Sequence, residues 1–229
     1  MKKLTVSMTR TEWIPGLIYI AVQLAVLPFI LAFGNMLLGN PLTEAQLNFV
    51  FFAIDFICIT IIFHRFLWKN VKVALSSPWA CLRYAGAGIT LYWLSSFLVG
   101  LLIVAVYPDF ANVNDESIAQ LTQDNYALMS IGTVVLVPIV EETLYRGLVF
   151  GKLYNRSVFA AYAVSTLVFS ALHVVGYIGL YEPLHLVLCL LQYIPAGLCL
   201  AWSYVRADSI WAPILIHMAI NQIGILSMR

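Results

Sequence analysis

Two adjacent glutamates and an arginine lie within one of the most apolar parts of this 229-residue chain. Glu141, Glu142 and Arg146 follow Pro138 in a segment whose other residues are mostly apolar. Placing an ionised carboxylate at membrane depth costs at least about 2.5 kcal/mol, so acids there usually face a cavity or find a partner, and they often mark a functional site. This segment is therefore the first place to look for chemistry.

Helical spacing separates the two glutamates. Glu142 and Arg146 are four residues apart, which lets them form an ion pair on one helix face, whereas Glu141 points about 100° away. Pro138 cannot donate to the carbonyl of Val134, so it kinks the helix or leaves a polar gap that water can enter. We predict a structural Glu142–Arg146 pair and a chemically active Glu141. The alternative is a buried ion pair with a spare acid that only fixes helix packing.

Other apolar segments contain polar residues at a similar depth. At a rise of about 1.5 Å per residue, Glu141 and His173 each lie roughly 20–25 Å from the turn that joins their helices. His217 and Asn221 lie about 15 Å and 21 Å from theirs, and their spacing puts both on one face. We expect these four groups to surround one buried site. Asp55 lies in the middle of another apolar segment, where it either packs helices together or lines the same cavity.

This set of side chains suits hydrolysis. A carboxylate can take a proton from water while an imidazole orients that water or returns the proton to the leaving group. A second imidazole and an amide N–H can stabilise the oxyanion. Two histidines and a glutamate also suffice to hold catalytic zinc, although no HExxH motif is present, and each histidine could instead bind a neighbouring helix. We favour no metal; the predicted ligands, if zinc is bound, are Glu141, His173 and His217.

The composition places the chain in a membrane. Its residues are 62% hydrophobic and only 10% charged, unlike those of soluble domains. The net charge of +1 gives no reason to expect a nucleic-acid partner. Because helices are the only open-ended structure that lipid tolerates, we predict an all-α, polytopic transmembrane helical bundle of about seven spans. The apolar segments long enough to cross the bilayer are 13–33, 47–68, 81–107, 126–152, 157–178, 184–205 and 209–228.

The distribution of basic residues predicts the orientation. If the N-terminus is cytoplasmic, every Lys and Arg except Arg229 falls on the cytoplasmic side, while the opposite loops contain acids but no basic residue. The connections are too short to form a separate domain. We therefore predict one continuous membrane domain, with an N-terminal three-span region at 1–125 and a four-span catalytic core at 126–229. The small size and short loops favour a bacterial plasma membrane.

Three short motifs carry a resemblance to a known family. The three motifs follow one another on separate spans, and together they resemble the motifs of the CPBP intramembrane proteases. This family, also called Abi, includes the type II CAAX prenyl endopeptidases and proteins linked to bacteriocin processing and self-immunity. The likeness covers roughly 126–224, and the first three spans carry no matching motif. The motifs are Glu141-Glu142-x-x-x-Arg146-Gly147, Phe169-x-x-x-His173 and His217-x-x-x-Asn221.

The resemblance implies an intramembrane endopeptidase that hydrolyses a peptide or a membrane-associated protein. The family carries a metalloprotease name, but its use of a metal is disputed, so no cofactor is favoured and zinc is the second option. The resemblance implies a catalytic role for Glu141 as general base, for His173 as its partner and for His217 with Asn221 around the oxyanion, and a supporting role for Glu142 and Arg146.

Two other classes of protein compete with this hypothesis. One is a non-catalytic membrane protein on the same scaffold, which gives bacteriocin self-immunity or regulates a membrane sensor. The other is a small transporter with a proton-relay carboxylate, but the sequence lacks the repeated halves with broken helices of that class. Polar groups at matched depth favour the enzyme, and we expect cleavage near the cytoplasmic half of the bilayer.

Overall fold

A computed structural model describes residues 3–228, and within this range the chain forms nine helices and no β-sheet. Lys2 and Arg229, which contributed to the predicted orientation, lie outside the described residues. The helices are α1 (Arg10–Leu37), α2 (Glu44–Ile62), α3 (His64–Ser76), α4 (Pro78–Val106), α5 (Val113–Asp124), α6 (Tyr126–Tyr154), α7 (Val158–Leu172), α8 (Pro183–Ala207) and α9 (Trp211–Ser227).

The predicted class is confirmed: the fold is an all-α, polytopic helical bundle. Five of the described helices, α1, α2, α4, α6 and α8, are long and apolar enough to cross a membrane. The helices α7 and α9 are also apolar, but they have only 15 and 17 residues. All seven correspond to predicted spans, and the span count itself stays a prediction because the two short helices are below the usual length of a crossing.

The second predicted span, 47–68, is too long. The helix α2 ends at Ile62, and α3 begins after a break at Phe63. A side chain from α1 stabilises the new helix start: Oε1 of Glu12 accepts a hydrogen bond of 2.8 Å from the backbone N–H of Phe66. The first N–H groups of a helix have no partner within it, so this carboxylate caps the start of α3.

The fifth predicted span, 157–178, is also too long. The helix α7 ends at Leu172, and the chain continues through a turn at His173 into a short 3-10 helix, Val175–Tyr177. Gly179 then adopts a φ of +86°, a backbone conformation that favours glycine. His173 therefore lies at the end of its helix rather than inside it.

Prolines locally widen two of the long helices. A π-helical turn, Val22–Val26, precedes Pro28 in α1, and a second, Gly132–Leu136, precedes Pro138 in α6. A proline has no N–H and its ring clashes with the preceding turn, so a π-turn accommodates it without ending the helix. A third π-helical segment, Thr143–Phe150, follows the two glutamates directly.

The core of the bundle lies around α8. This helix packs against α4, α7 and α9, and α6 packs against α7 and α9. The polar segment between α4 and α6 forms the helix α5, because Asn112 caps it: Oδ1 of Asn112 accepts from the backbone N–H of Asn114 at 3.0 Å. At its other end, Asp124 accepts a hydrogen bond of 2.7 Å from the hydroxyl of Thr43, which ties α5 to the start of α2.

Candidate active site

One cavity of about 1000 Å³ collects all four predicted catalytic side chains. Glu141 comes from α6, His173 from the end of α7, and His217 and Asn221 from α9, and all of them line this cavity. Helices of the N-terminal region complete its wall, including Asp55 of α2. The expected convergence of these side chains is therefore present in the structure, while their catalytic roles stay predictions.

The predicted Glu142–Arg146 ion pair is present. Nη1 of Arg146 lies 3.1 Å from Oε1 of Glu142, and both side chains are fully buried. Nη2 donates to the carbonyl oxygen of Gly197 at 3.2 Å, and the guanidinium lies 4.5 Å from the ring centre of Phe169. Arg146 thus links α6 to α7 and α8, which gives the pair a structural role behind the cavity wall.

His217 connects the two glutamates, a contact that the sequence did not predict. Its Nδ1 lies 2.9 Å from Oε1 of Glu142, and its Nε2 lies 3.9 Å from Oε2 of Glu141. An ionised carboxylate can only accept, so Nδ1–H donates to Glu142 and Nε2 is turned toward Glu141. A carboxylate that fixes the orientation of an imidazole in this way is the arrangement found in catalytic triads.

Glu141 keeps one oxygen free of hydrogen bonds. Its side chain is 18% exposed, and Oε2 is a buried atom with no hydrogen-bond partner among residues 3–228. A buried carboxylate oxygen without a donor is costly unless a ligand or water binds it. The position next to Nε2 of His217 makes this oxygen the natural acceptor for a proton from water.

His173 lies in the same cavity but in separate surroundings. Its Nδ1–H donates to the carbonyl oxygen of Phe169 at 2.8 Å, which leaves Nε2 as the available nitrogen. The ring packs between Phe169 and Tyr193, with ring centres 4.6 Å and 4.3 Å away. The family resemblance implied His173 as the partner of Glu141, whereas the ion-pair contact of Glu141 in the described residues is with His217.

Asn221 is held by a backbone carbonyl that the π-turn makes available. The N–H of Val137 donates to Gly132 instead of Thr133, and Pro138 has no N–H to offer. The carbonyl oxygen of Thr133 instead accepts a hydrogen bond of 2.8 Å from Nδ2 of Asn221. The second hydrogen of this amide remains for a ligand in the cavity.

A polar network links the cavity to α5, and sequence reasoning missed it. The hydroxyl of Tyr193 lies 3.0 Å from Oδ1 of Asp115 and 3.2 Å from Oδ1 of Asn112, and it accepts from Nδ2 of Asn114 at 3.1 Å. Burial raises the pKa of Asp115 above its usual value, although the hydrogen bond from Tyr193 and the nearby His173 oppose the rise. No residue spacing in the sequence pairs α5 with Tyr193.

The three proposed zinc ligands do not form a metal site in this arrangement. In the described part of the chain, no three side chains among His, Cys, Asp and Glu lie close enough together to hold a metal ion. The donor types suit zinc, and because Nδ1 of His217 and Nδ1 of His173 are engaged by Glu142 and Phe169, Nε2 of each ring is the nitrogen that a metal would bind. No step of the proposed chemistry is therefore assigned to a metal.

The cavity lies toward the acidic end of the bundle. It reaches Asp115 on α5 and Tyr177 beyond the end of α7, and three of its four α2 residues come from the first half of that helix. The basic connections, such as the one at Arg156, lie at the other end. With the predicted cytoplasmic N-terminus, the cavity would face away from the cytoplasm. The expected orientation and the expected cleavage near the cytoplasmic half of the bilayer are therefore incompatible.

Comparisons with known proteins agree with the three motifs. Residues 123–223 match the family model described as type II CAAX prenyl endopeptidase Rce1-like. Over 230 aligned residues, the chain is 26% identical to a protein of Bacillus subtilis (strain 168) named "Putative membrane peptidase YdiL", and the alignment covers 93% of this chain and 87% of that protein. No solved structure matches the chain.

These findings bear on the part of the chain that supplies the four predicted catalytic residues. The family match begins just before α6 and ends within α9, so it includes all six motif residues that carry charge or polar chemistry in the site. The resemblance noted in the sequence is confirmed at this level, together with a protease class and a membrane location. The region that carries the three motifs is thus similar to the type II CAAX prenyl endopeptidases described as Rce1-like.

Proposed function

We propose that this protein is an intramembrane endopeptidase that hydrolyses a peptide or a membrane-associated protein with water activated by Glu141. The observation that supports it best is the free Oε2 of Glu141, which lies 3.9 Å from Nε2 of His217 in the wall of a large cavity. A water molecule at this point can contact both atoms. A protein that served only as a scaffold would have no need for a buried carboxylate oxygen without a hydrogen-bond donor.

The reaction would proceed by proton transfer at these two residues. As the water oxygen attacks the carbonyl carbon of the substrate, Oε2 of Glu141 takes its proton. His217 orients the water, and Glu142 stabilises the imidazole through Nδ1. When the C–N bond breaks, the proton passes from Glu141 to the leaving nitrogen, which gives an amine and a carboxylic acid.

Two further groups of the cavity complete the proposed site. The free amide hydrogen of Asn221 would donate to the oxyanion of the tetrahedral intermediate. The available Nε2 of His173 would orient the water or the leaving group. The resemblance placed His217 beside the oxyanion, but its contact with Glu142 turns Nε2 toward Glu141, and we therefore place it beside the water.

The proposal is tested by comparing protein termini in cells. Membrane proteomes from cells with the wild type, Glu141→Gln and Glu116→Gln would be compared for new peptide termini. Glu116 is an exposed acid on α5 and serves as a control for the loss of one carboxylate. We expect specific termini with the wild type and Glu116→Gln, and a decrease of about 100-fold or more in Glu141→Gln. Identical termini in all three would support the non-catalytic alternative.

Metal dependence is a separate question with its own measurement. We propose a metal-free site, so purified protein should contain no stoichiometric zinc, and cleavage should survive exhaustive chelation. About one zinc per chain, lost in both His173→Ala and His217→Ala, would overturn the metal-free proposal while leaving the protease assignment intact.

A further inference from the structure

Asp55 is a buried acid that has only neutral partners. Asp55 is 2% exposed. Oδ1 accepts a hydrogen bond of 2.6 Å from the hydroxyl of Tyr19, and Oδ2 accepts one of 2.7 Å from Nε2 of Gln23. Two accepting oxygens are the pattern of an ionised carboxylate. Among residues 3–228, no Lys or Arg forms an ion pair with it.

A purely structural role does not explain why the residue at position 55 is an acid. Tyr19 and Gln23 lie one turn apart on α1, so their hydrogen bonds to Asp55 hold α1 against α2. Neutral donors would do this equally well with a neutral acceptor, and an ionised acid within a membrane usually has a cationic partner. Asp55 and Gln23 both line the cavity that contains Glu141, so this cavity is the side from which a cationic partner would approach the carboxylate.

The charge of the cavity wall selects the kind of partner. Three carboxyl residues, Asp55, Asp115 and Glu141, line the cavity, whereas no Lys or Arg does so. The remaining wall is rich in aromatic side chains, whose faces also attract cations. A metal ion is a poor candidate, because no third ligand lies near enough in the described residues. A volume of about 1000 Å³ is at the upper end for a ligand pocket and accommodates several residues of a peptide.

We propose that Asp55 forms a substrate subsite that binds a lysine or arginine side chain, so that the cavity prefers cationic peptide segments. This inference rests on the proposed function, because it names the substrate class of the same cavity. The aliphatic part of a Lys or Arg side chain can cross the apolar wall, while its charged end forms the ion pair with Asp55. Tyr19 and Gln23 hold the carboxylate in place for this contact. The residue lies in α2, outside the matched family region.

The subsite is tested by binding in the absence of cleavage. Purified Glu141→Gln in detergent micelles would be titrated with two fluorescently labelled 12-residue peptides, identical except that one carries three lysines where the other carries three glutamines. We expect the lysine peptide to bind at least 10-fold more tightly. Adding Asp55→Asn should reduce this ratio to less than about 2-fold, because the amide has the same shape but no charge.

Matched variants separate recognition from a structural role. In the same Glu141→Gln background, Asp109→Asn removes an exposed acid outside the cavity and should keep the lysine preference. Gln23→Lys places an internal cation beside Asp55 and should abolish it, which provides a second test if Asp55→Asn does not fold.

Two results would overturn the subsite. One is equal binding of the lysine and glutamine peptides to Glu141→Gln. The other is a lysine preference that survives in Asp55→Asn. A loss of that preference in Asp115→Asn would not change this second conclusion. Neither result bears on hydrolysis, because the measurement involves no cleavage. Conversely, a failed search for cleavage products leaves the binding comparison intact.

Discussion

The two regions of the bundle differ in how they use their helices. In the most apolar stretches of α1, α2 and α4, only 17%, 17% and 6% of the residues are buried, compared with 39% in that of α6 and 44% in that of α8. The first group therefore faces mainly the lipid, and the second forms the packed core. The family match covers the second group. A packed core can hold reacting groups in fixed positions, whereas the outer helices complete the cavity wall.

The polar residues of the two regions follow the same division. In the core, Glu142 is paired with charged or ionisable partners, Arg146 and His217. In the N-terminal region, Glu12 caps α3 and binds the backbone and hydroxyl of Thr9, and Asp55 binds neutral side chains. The core thus contains a charge network, and the outer helices contain isolated acids.

Breaking this charge network should have the largest effect on stability. Arg146→Ala leaves Glu142 buried without its cation, a loss of about 3–5 kcal/mol. We expect little folded protein by fluorescence-detected size-exclusion chromatography, and a lower thermal unfolding temperature for whatever remains. The control is Arg156→Ala, which removes an exposed arginine at the turn after α6. Equal yields and unfolding temperatures for the two variants would show that the core pair does not stabilise the fold.

The sequence predicted the parts of this network that depend on one helix. The spacing of Glu142 and Arg146 within α6 was sufficient to predict their ion pair. The contact between His217 and Glu142 depends on how α6 and α9 cross, and no local pattern contains that information. The rise per residue placed His217 about 15 Å and Glu141 roughly 20–25 Å from their turns, close enough to share a site, but it could not determine which of the two glutamates Nδ1 of His217 would bind.

Other features could not be predicted because they depend on the backbone or on distant partners. The proline at 138 indicated a disturbed helix, but not the π-turn that frees the carbonyl of Thr133 for Asn221. The sequence analysis predicted no helix around Asp115, whereas capping by Asn112 and contacts with Tyr193 give one. For Asp55, the partners lie 36 and 32 residues away on another helix.

Packing offers a second comparison of the two regions. A Cβ atom added to Gly197 in α8 would lie 2.6 Å from Cγ2 and 3.1 Å from Cα of Thr166 in α7, so Gly197→Ala forces these helices apart. At Gly100 in α4, nothing lies within 4 Å of an added Cβ. We expect Gly197→Ala to cost about 1–3 kcal/mol.

Gly100→Ala is the matched variant in the lipid-facing region. Because alanine favours a helix over glycine by about 0.5–1 kcal/mol, its stability should be unchanged or slightly higher. Reversible unfolding in mixed micelles would measure both variants. Similar losses at the two positions would contradict the view that the N-terminal helices are loosely packed.

The smallest expected effect concerns α5, the helix that joins the two regions outside the apolar spans. Burial raises the pKa of Asp115 in the folded state. As the pH rises above the usual aspartate value of about 4, the unfolded chain releases this proton while the folded chain retains it. Stability therefore falls with increasing pH until the raised pKa is passed, and then stays constant. Thermal unfolding across this range should show a decline that is smaller in Asp115→Asn than in the wild type and is unchanged in Glu116→Gln, the exposed acid of the same helix. An undiminished decline in Asp115→Asn would assign the titration to other groups and would weaken the role of α5 as a buried link to Tyr193 and His173.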